Sequence, residues 1–362
     1  MLIDPLRSRF VKAACAILFI SAPQLLVADT FTQTNLVSDV PGMAPVTDPN
    51  LKNPWGVSFS TGSPFWVSNQ ASGNSTLYDG AGNINSLVVT IPGDSPVGQV
   101  SNGSTGFLVN GTAAHFIFDT LNGAIDGWAA GSTAVQMAST TGAQYTGLAM
   151  GTSGSSPYIY AADHASGSIH VFDSGWNDVT ATTFSGKFVD PNPVAGFTAY
   201  NIQFIGSNLY VTYAGKSGGG YIDVFDTSGN FIKRFTTGGL LNAPWGLVLA
   251  PAGFESFGND LLVGNFGSGE ILAYDPNTDA FVGTIDGPNG QPLVNSGLWS
   301  LETRAGGTNS DLGAVYFTAG INGQQDGLFG KIDPAVPEPA SIFETASGLI
   351  ALALLRLRSR RA

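Results

Sequence analysis

The chain has 362 residues, of which 43% are apolar and only 11% are charged, and it contains 48 Gly, 20 Pro and 23 Phe. This composition excludes a disordered chain and argues against a protein made of charged surface helices, because it favours many short strands joined by turns. The formal net charge is −12, and residues 29–336 alone hold 7 basic and 23 acidic residues. Such acidity argues against a nucleic-acid partner and suits divalent cations or neutral glycans, or simply keeps the protein soluble.

The first predicted element is a secretory signal peptide at residues 1–28. Three basic residues precede an apolar run at residues 13–20, and Ala28 occupies the small-residue position before the cleavage site. An uncleaved membrane anchor is the alternative, but the run is short and Pro23 follows it. The sole cysteine, Cys15, lies in this segment, so the mature domain is expected to hold no disulfide.

A repeated hairpin predicts the fold of the central region. The repeat contains a small residue, Ile or Leu, an aromatic residue, Asp and a turn, and its copies are spaced 44 to 58 residues apart. The aligned positions are Asp79, Ala129, Asp173, Asp226, Asp275 and Asp333. This period is too long for an ankyrin-type helical repeat and matches the four-stranded blade of a β-propeller.

A second repeated unit predicts the inner strands of the blades. The string NPWGV at residues 53–57 recurs as APWGL at residues 243–247, and each copy leads into an apolar strand. We expect the glycine to let inner strands crowd around the axis, and the hairpin aromatic residue to fill the space between neighbouring blades.

Six such units predict an all-β, six-bladed propeller over residues 29–335. Residues 30–37 alternate in the manner of a strand, and we expect them to complete the blade that contains residues 328–332. A pair of β-sandwiches is the alternative architecture, but it does not explain a hairpin repeated at this period.

Polar residues at the ends of predicted strands are the candidates for a ligand or metal site at the channel mouth. They are Asn69, Asp163, His164, Asn201 and Asn265. Their oxygens suit a hard cation such as Ca²⁺. A metal-dependent enzyme would need three or more of Asn69, Asp163, Asn201, Asn265 and Glu302 to converge on one point. The alternative is that they cap strands and satisfy buried backbone groups, which Asn and Asp often do. We assign no catalytic residue, and the sequence favours a non-enzyme.

Tryptophan residues are the candidates for stacking against sugars. Trp66, Trp128, Trp176 and Trp299 could do so at the channel mouth, although we expect most of them to pack between blades.

The C-terminal region, residues 336–362, has three features in a fixed order. Val336, Pro337, Glu338 and Pro339 precede an apolar run at residues 348–355, and the chain ends with Arg356, Arg358, Arg360 and Arg361. This order resembles the PEP-CTERM sorting signal of Gram-negative bacteria. The resemblance implies a precursor held transiently in the inner membrane with its basic end in the cytoplasm, and an exosortase that processes the tail. An amphipathic helix is the alternative, because Glu344 shortens the apolar segment.

The region between the two ends also resembles a family of uncharacterised exported bacterial propellers. The matching strings are TNLVSDVPG from residue 34, NPWGVSF from residue 53, LNAPWGLVLAPAGF from residue 241, LLVGNFGSG from residue 261 and VYFTAG from residue 315. The fold is similar to NHL-repeat and gluconolactonase-like propellers, which include binding modules and metal-dependent lactonases.

The predicted function is an exported scaffold or ligand-binding module of the cell envelope or extracellular space. Its expected partners are the export and exosortase machinery and an exopolysaccharide, with no nucleic acid. The alternative function is a gluconolactonase-like hydrolase that depends on a metal such as Ca²⁺.

Overall fold

Six β-sheets, antiparallel except for one short parallel pair in the last, surround a central axis in the computed structural model, which describes residues 29–304 and 306–335. The first strand of each sheet contacts the first strand of the next, and the last contacts the first, so the sheets form a closed ring of six blades. The predicted six-bladed propeller is therefore confirmed. The predicted signal peptide and sorting tail lie outside the described residues.

The first half of the chain supplies the closing strand and blades 1 to 3. In chain order the strands are β1 Phe31–Ser38, β2 Val46–Thr47, β3 Pro54–Ser58, β4 Phe65–Asn69, β5 Asn74–Tyr78, β6 Ile84–Thr90, β7 Pro96–Ser101, β8 Leu108–Val109, β9 Thr112–Ala113, β10 Phe116–Thr120, β11 Ala124–Trp128, β12 Val135–Ser139, β13 Tyr145–Ser153, β14 Ser156–Asp163 and β15 Ile169–Asp173. Blade 1 is β3 to β6, blade 2 is β7 with β10 to β12, and blade 3 is β13 to β15. The strands β8 and β9 form a separate two-stranded hairpin.

The second half supplies blades 4 to 6. Its strands are β16 Phe197–Ile205, β17 Asn208–Gly215, β18 Tyr221–Asp226, β19 Phe231–Thr237, β20 Pro244–Leu249, β21 Leu261–Asn265, β22 Ile271–Tyr274, β23 Phe281–Thr284, β24 Leu298–Glu302, β25 Val315–Ala319 and β26 Leu328–Pro334. Blade 4 is β16 to β19, blade 5 is β20 to β23, and blade 6 is β24 to β26 with β1 and β2. Short helical turns lie at Gln70–Ser72, Glu255–Phe257 and Ile321–Gln324. No helix in residues 29–304 and 306–335 has the length and hydrophobicity that crossing a bilayer requires.

The N-terminal strand closes the ring. Strand β1 pairs with β26 in antiparallel register, from Phe31 opposite Pro334 to Ser38 opposite Leu328. This pairing confirms the closure predicted from residues 30–37. The buried ring of Phe31 also stacks on Phe254 of blade 5, with 4.6 Å between ring centroids. The closing strand therefore connects blades 5 and 6 as well as completing blade 6.

The repeated Asp builds the hairpin between the third and fourth strands. In blade 1, Asp79 Oδ1 accepts hydrogen bonds from the N–H groups of Ala81 and Asn83, and the Asn83 side chain donates to Asp79 Oδ2. Asp173 with Asn177 and Asp226 with Asn230 repeat this arrangement. An Asp that accepts from the backbone two and four residues later fixes a tight turn, which explains why the motif recurs.

The aromatic residue of the hairpin packs against the preceding blade, as predicted. Tyr274 of blade 5 contacts Phe235 of blade 4, with 5.8 Å between ring centroids. Tyr78 of blade 1 lies 5.6 Å from Phe329 of blade 6 by the same measure, and it is fully buried. These contacts fill the wedge-shaped space between neighbouring sheets.

We expect Phe31→Ala to destabilise the fold by about 3–5 kcal/mol, because it removes a fully buried aromatic ring and leaves a cavity at the closure. Urea unfolding measures this loss in the free energy of unfolding. Thr32→Ala on the exposed face of the same strand is the control and should change the free energy by less than about 0.5 kcal/mol. A Phe31→Ala cost below about 1 kcal/mol would contradict the role of β1 in closing the ring.

Candidate functional site

Aromatic side chains fill one end of the central channel. We call the end where the inner strands begin the upper end, and the set Trp55, Trp245 and Trp299 the aromatic plug. Trp55 and Trp299 stack with 3.4 Å between ring centroids, and Trp245 packs edge-on against both. All three are at most 5% exposed. The plug therefore separates the upper end of the channel from its interior.

Hydrogen bonds hold the plug across the ring. The indole N–H of Trp245 in blade 5 donates to the carbonyl of Thr146 in blade 3, at 2.8 Å. The indole N–H of Trp299 donates to Asn53 Oδ1, at 3.1 Å. Tyr200 and Phe266 pack around Trp299. Trp299 was a candidate for sugar stacking, but the structure places it in this buried cluster.

Glycine follows Trp55 and Trp245, and it also follows Val97, the equivalent residue of blade 2, because the inner strands touch at this level. A Cβ atom added to Gly98 would lie 2.4 Å from the backbone nitrogen of Leu148 in the next blade. A Cβ atom on Gly56 would lie 2.5 Å from the carbonyl oxygen of Val97, and one on Gly246 would lie 2.4 Å from that of Trp299. None of these three approaches leaves room for a side chain. The predicted role of glycine in letting the inner strands crowd together is confirmed.

Two residues after these glycine positions, each inner strand carries a side chain that belongs to a ring around the lower end of the channel. This channel ring consists of Ser58, Val100, Ala149, Gln203, Val248 and Glu302, at equivalent positions of blades 1 to 6. Five of the six, all except Val248, line one cavity of about 230 Å³. The wall of the cavity combines seven apolar residues with five polar ones.

Glu302 is the one acidic residue among the described residues that line this cavity. Burial raises the pKa of its carboxyl group to about 8, although the Thr303 N–H and the nearby Arg304 charge oppose this shift. The carboxyl group is therefore mostly neutral at pH 7, where it can both donate and accept a hydrogen bond.

Two further polar atoms in the cavity wall are buried without a partner. Gln99, which is 5% exposed, donates from Nε2 to the carbonyls of Gly56 and Trp66, but its Oε1 has no hydrogen-bond partner among the described residues. The same holds for Ser58 Oγ. Buried polar atoms normally have a partner, so these two atoms suit a bound ligand or an ordered water.

A groove continues from the cavity over blades 2, 3 and 4. Its volume is about 610 Å³, and it shares Ser101, Met150 and Phe204 with the cavity wall. Phe204 is 39% exposed, so part of its ring faces the groove. The hydroxyl groups that line the groove belong to Ser101, Ser104, Thr152, Ser207 and Thr227, and none of its described lining residues is charged.

The residues predicted from the sequence lie near the upper end instead. Asn69, Asp163 and Asn265 hold equivalent positions at the ends of the second strands in blades 1, 3 and 5. Asp163 accepts from the N–H groups of Gln144 and Ala165, and Asn265 accepts from Asn242 N–H and donates to the Leu240 carbonyl. Both side chains therefore cap the segment that leads into their own blade.

Asn69 is bonded within blade 1 in a similar way. Its Nδ2 donates to Asn74 Oδ1 and Thr76 Oγ1, both at 2.9 Å, while its Oδ1 has no partner in the described part of the chain.

Asn201 and His164 connect blades 3, 4 and 5. The Asn201 side chain donates to the carbonyl of Trp245 in blade 5 at 2.7 Å and accepts from the N–H of Ile202. His164 Nδ1 lies 2.9 Å from Thr198 Oγ1 and stands beside the ring of Tyr200. Asn201 occupies the position that is glycine in blades 1, 2, 3 and 5, so its amide bridges a gap between inner strands.

The hydrogen bonds of these five residues run to groups of the protein itself. Three of them occupy alternate blades and bind groups of their own blade, and Glu302 lies at the opposite end of the channel. Within residues 29–304 and 306–335, no three His, Cys, Asp or Glu side chains are close enough to hold a metal ion. Calcium binding thus stays a prediction that no arrangement of the described acidic or histidine side chains supports.

Sequence reasoning missed Gln99 and Gln203. Gln99 stands where the other inner strands carry Val57, Leu148 and Leu247, all buried apolar residues. An amide at an apolar position of a repeat is a signal for a special role, and it is visible once the six inner strands are aligned.

Comparison with known proteins places the chain in a family. It is 32% identical over 321 residues to the uncharacterized protein R648 of Acanthamoeba polyphaga mimivirus. This alignment covers 82% of this chain and 78% of that protein. It is 30% identical over 338 residues to the uncharacterized protein L690 of the same virus, and this alignment covers 86% of this chain and 87% of that protein. The chain belongs to the family of these mimivirus proteins. No family model matches the chain.

Among solved structures, virginiamycin B lyase from Staphylococcus aureus is similar in fold. Its TM-score is 0.51 at 14% sequence identity, and the match covers 84% of this chain and 99% of that one. At this identity the likeness supports the propeller fold alone. The predicted propeller fold is therefore supported, whereas the NHL-like family and the bacterial and exported character stay predictions.

The buried carboxyl group of Glu302 gives a testable pH dependence. An unfolded Glu has a pKa near 4.3, so the folded state binds this proton more tightly and loses stability as the pH rises from about 4.3 to 8. We expect Glu302→Gln to remove this loss, so that the variant gains stability relative to the original protein between pH 5 and pH 8. Urea unfolding at several pH values measures the difference.

Exposed Glu255 provides the control for this measurement. Glu255→Gln should leave the slope of stability against pH unchanged. A Glu302→Gln difference that stays constant from pH 5 to pH 8 would mean that the Glu302 pKa is not raised.

Proposed function

We propose that the chain is an exported β-propeller that acts as a binding module for polysaccharide, through the lower end of its channel. The observation that carries this proposal is the cavity of about 230 Å³ bordered by Ser58, Gln203 and Glu302, with a hydroxyl-lined groove leading away from it. Hydroxyl and amide groups combined with an exposed aromatic ring are the chemistry that recognises sugars, whose faces are apolar and whose edges are polar.

The charge distribution supports a neutral or weakly charged ligand. No Lys or Arg is among the described residues that line the cavity or the groove, which disfavours phosphate and nucleic acid. A protein with 23 acidic and 7 basic residues between positions 29 and 336 would also repel polyanions at long range.

The gluconolactonase-like alternative has no comparable support. It requires cation ligands that converge at the channel, and the Asn and Asp side chains predicted for that role are mostly bonded to the protein itself. A polysaccharide-binding module is thus the function that the geometry favours.

Affinity electrophoresis tests the proposal. We expect dextran, mannan or galactan cast into a native gel to retard the purified chain, and added EDTA to leave the retardation unchanged because no metal takes part. The retardation should also persist at 0.5 M NaCl, since neutral contacts are not screened by salt. If none of these polymers, nor an acidic polymer such as alginate, retards the chain, the proposed function is wrong.

We also propose export through the N-terminal segment and transient membrane anchoring through the tail, with exosortase as the processing partner and the envelope or extracellular space as the destination. The support is the sequence order at both ends, together with the position of the adjoining folded residues. The Ala335 N–H donates to the Thr30 carbonyl at 2.8 Å, so the described residues nearest to the two predicted segments lie side by side in blade 6.

Mass spectrometry of the protein recovered from an exosortase-containing Gram-negative host tests this proposal. We expect a mature N-terminus after Ala28 and a C-terminus near residues 336–339. Glu338→Ala should leave the tail attached and the protein in the membrane fraction, while Glu270→Ala in the propeller serves as the control. Recovery of the intact chain from the cytoplasm would contradict both parts.

A further inference from the structure

The strongest unassigned feature is the lower end of the channel, where the cavity and the groove meet. The channel ring supplies polar groups from blades 1, 4 and 6, and apolar groups from blades 2 and 3 complete the cavity wall. The plug closes the opposite end, so a molecule bound here reaches the cavity from the lower face.

Two residues of the cavity wall carry a polar atom without a partner. Ser58 Oγ and Gln99 Oε1 both lack a hydrogen-bond partner among the described residues, although the Gln99 Nε2 bonds hold that amide in place. Leaving such atoms unpaired is costly, so a hydroxyl group that reached them from the cavity would stabilise the protein.

We propose that this cavity is a subsite for one neutral polyhydroxylated unit, a sugar residue, held by Ser58, Gln99, Gln203 and Glu302. This inference rests on the proposed function and specifies its site. A cavity of about 230 Å³ is smaller than the roughly 300–1,000 Å³ of ordinary ligand pockets, so it suits a single unit.

The neighbouring groove provides the place for further units. It begins at Ser101, Met150 and Phe204, which also line the cavity, and it extends to residues of the β13–β14 and β16–β17 turns. The exposed ring of Phe204 offers a face on which a sugar can stack. A chain end in the cavity with the next units in the groove is the binding mode that this continuity favours.

The charges of the side chains around the cavity favour a neutral sugar over an ion as the ligand. An anion would find no basic side chain among the described lining residues. A cation would have to displace a proton from Glu302, so its binding would strengthen as the pH rises from 6 to 8. A neutral sugar needs no ionisation of this group, and its binding should change little between pH 6 and pH 7.

Isothermal titration of the purified chain with dextran, mannan, galactan and their monosaccharides, at pH 6 and pH 7, tests the subsite. The variants are Gln203→Leu, Ser58→Ala and Glu302→Gln, and the matched control is Gln136→Leu on the exposed outer strand of blade 2. We expect Gln203→Leu to weaken binding about tenfold and Ser58→Ala about threefold, since each loses hydrogen bonds to the ligand. Glu302→Gln keeps a neutral hydrogen-bonding side chain and should stay within threefold.

The possible results separate the subsite from the proposed function. If a polymer binds but neither Gln203→Leu nor Ser58→Ala changes its affinity, the subsite is wrong and the function stands. If no sugar binds, both are overturned. If Ca²⁺ raises the unfolding temperature and Glu302→Gln abolishes the rise, a cation occupies the cavity and the inference fails.

Unfolding temperatures of all variants show whether a loss of binding reflects a loss of structure. Phe204→Ala is the second test, because this side chain is exposed and its removal does not disturb a core. It should weaken polymer binding more than monosaccharide binding if the groove takes the following units, and an equal effect on both would contradict that binding mode.

Discussion

The close approach of the six inner strands is the constraint on which the rest of the structure depends. At Gly56, Gly98 and Gly246 the neighbouring strand comes so near that a Cβ atom would overlap its backbone. In blades 1, 2, 3 and 5 the inner strands therefore meet around the axis at a glycine, whereas Asn201 and Ser300 hold that position in blades 4 and 6. The large aromatic side chains lie above this level. The repeated Trp-Gly dipeptide meets both requirements, because it places a bulky Trp side chain next to a glycine at the level where a Cβ atom would overlap the neighbouring strand.

This constraint also gives the channel two different ends. Above the glycine level, Trp55, Trp245 and Trp299 contact one another and exclude water, and their packing ties together blades that are not neighbours in sequence. Below it, the channel ring combines Ser58, Gln203 and Glu302 with smaller apolar residues and leaves a cavity. A propeller closed at one end and open at the other has one place where a ligand can reach the axis.

The sequence predicted the fold more fully than the site, for a physical reason. The blade is a repeated unit, so each further copy of the Asp hairpin or the Trp-Gly unit strengthens the prediction of a propeller. The closing strand is also predictable, because a closed ring needs a strand from one end of the chain to pair with the last blade. A site is where the repeat is broken, as at Gln99 among apolar equivalents. The Asn and Asp residues that suggested a cation site, such as Asp163 and Asn265, recur at equivalent positions, and recurrence favours a structural role in capping. Trp66 likewise packs between blades, on Phe116.

The closure by β1 bears on how an exported chain of this kind could mature. A backbone hydrogen bond near the ends of the described chain joins Thr30 to Ala335, and Phe31, the next residue, is fully buried. Cleavage before residue 29 and after residue 336 would leave every pair of the β1–β26 register intact. The strands that close the ring therefore lie between the two predicted cleavage points, and the closure itself uses no residue of either terminal segment.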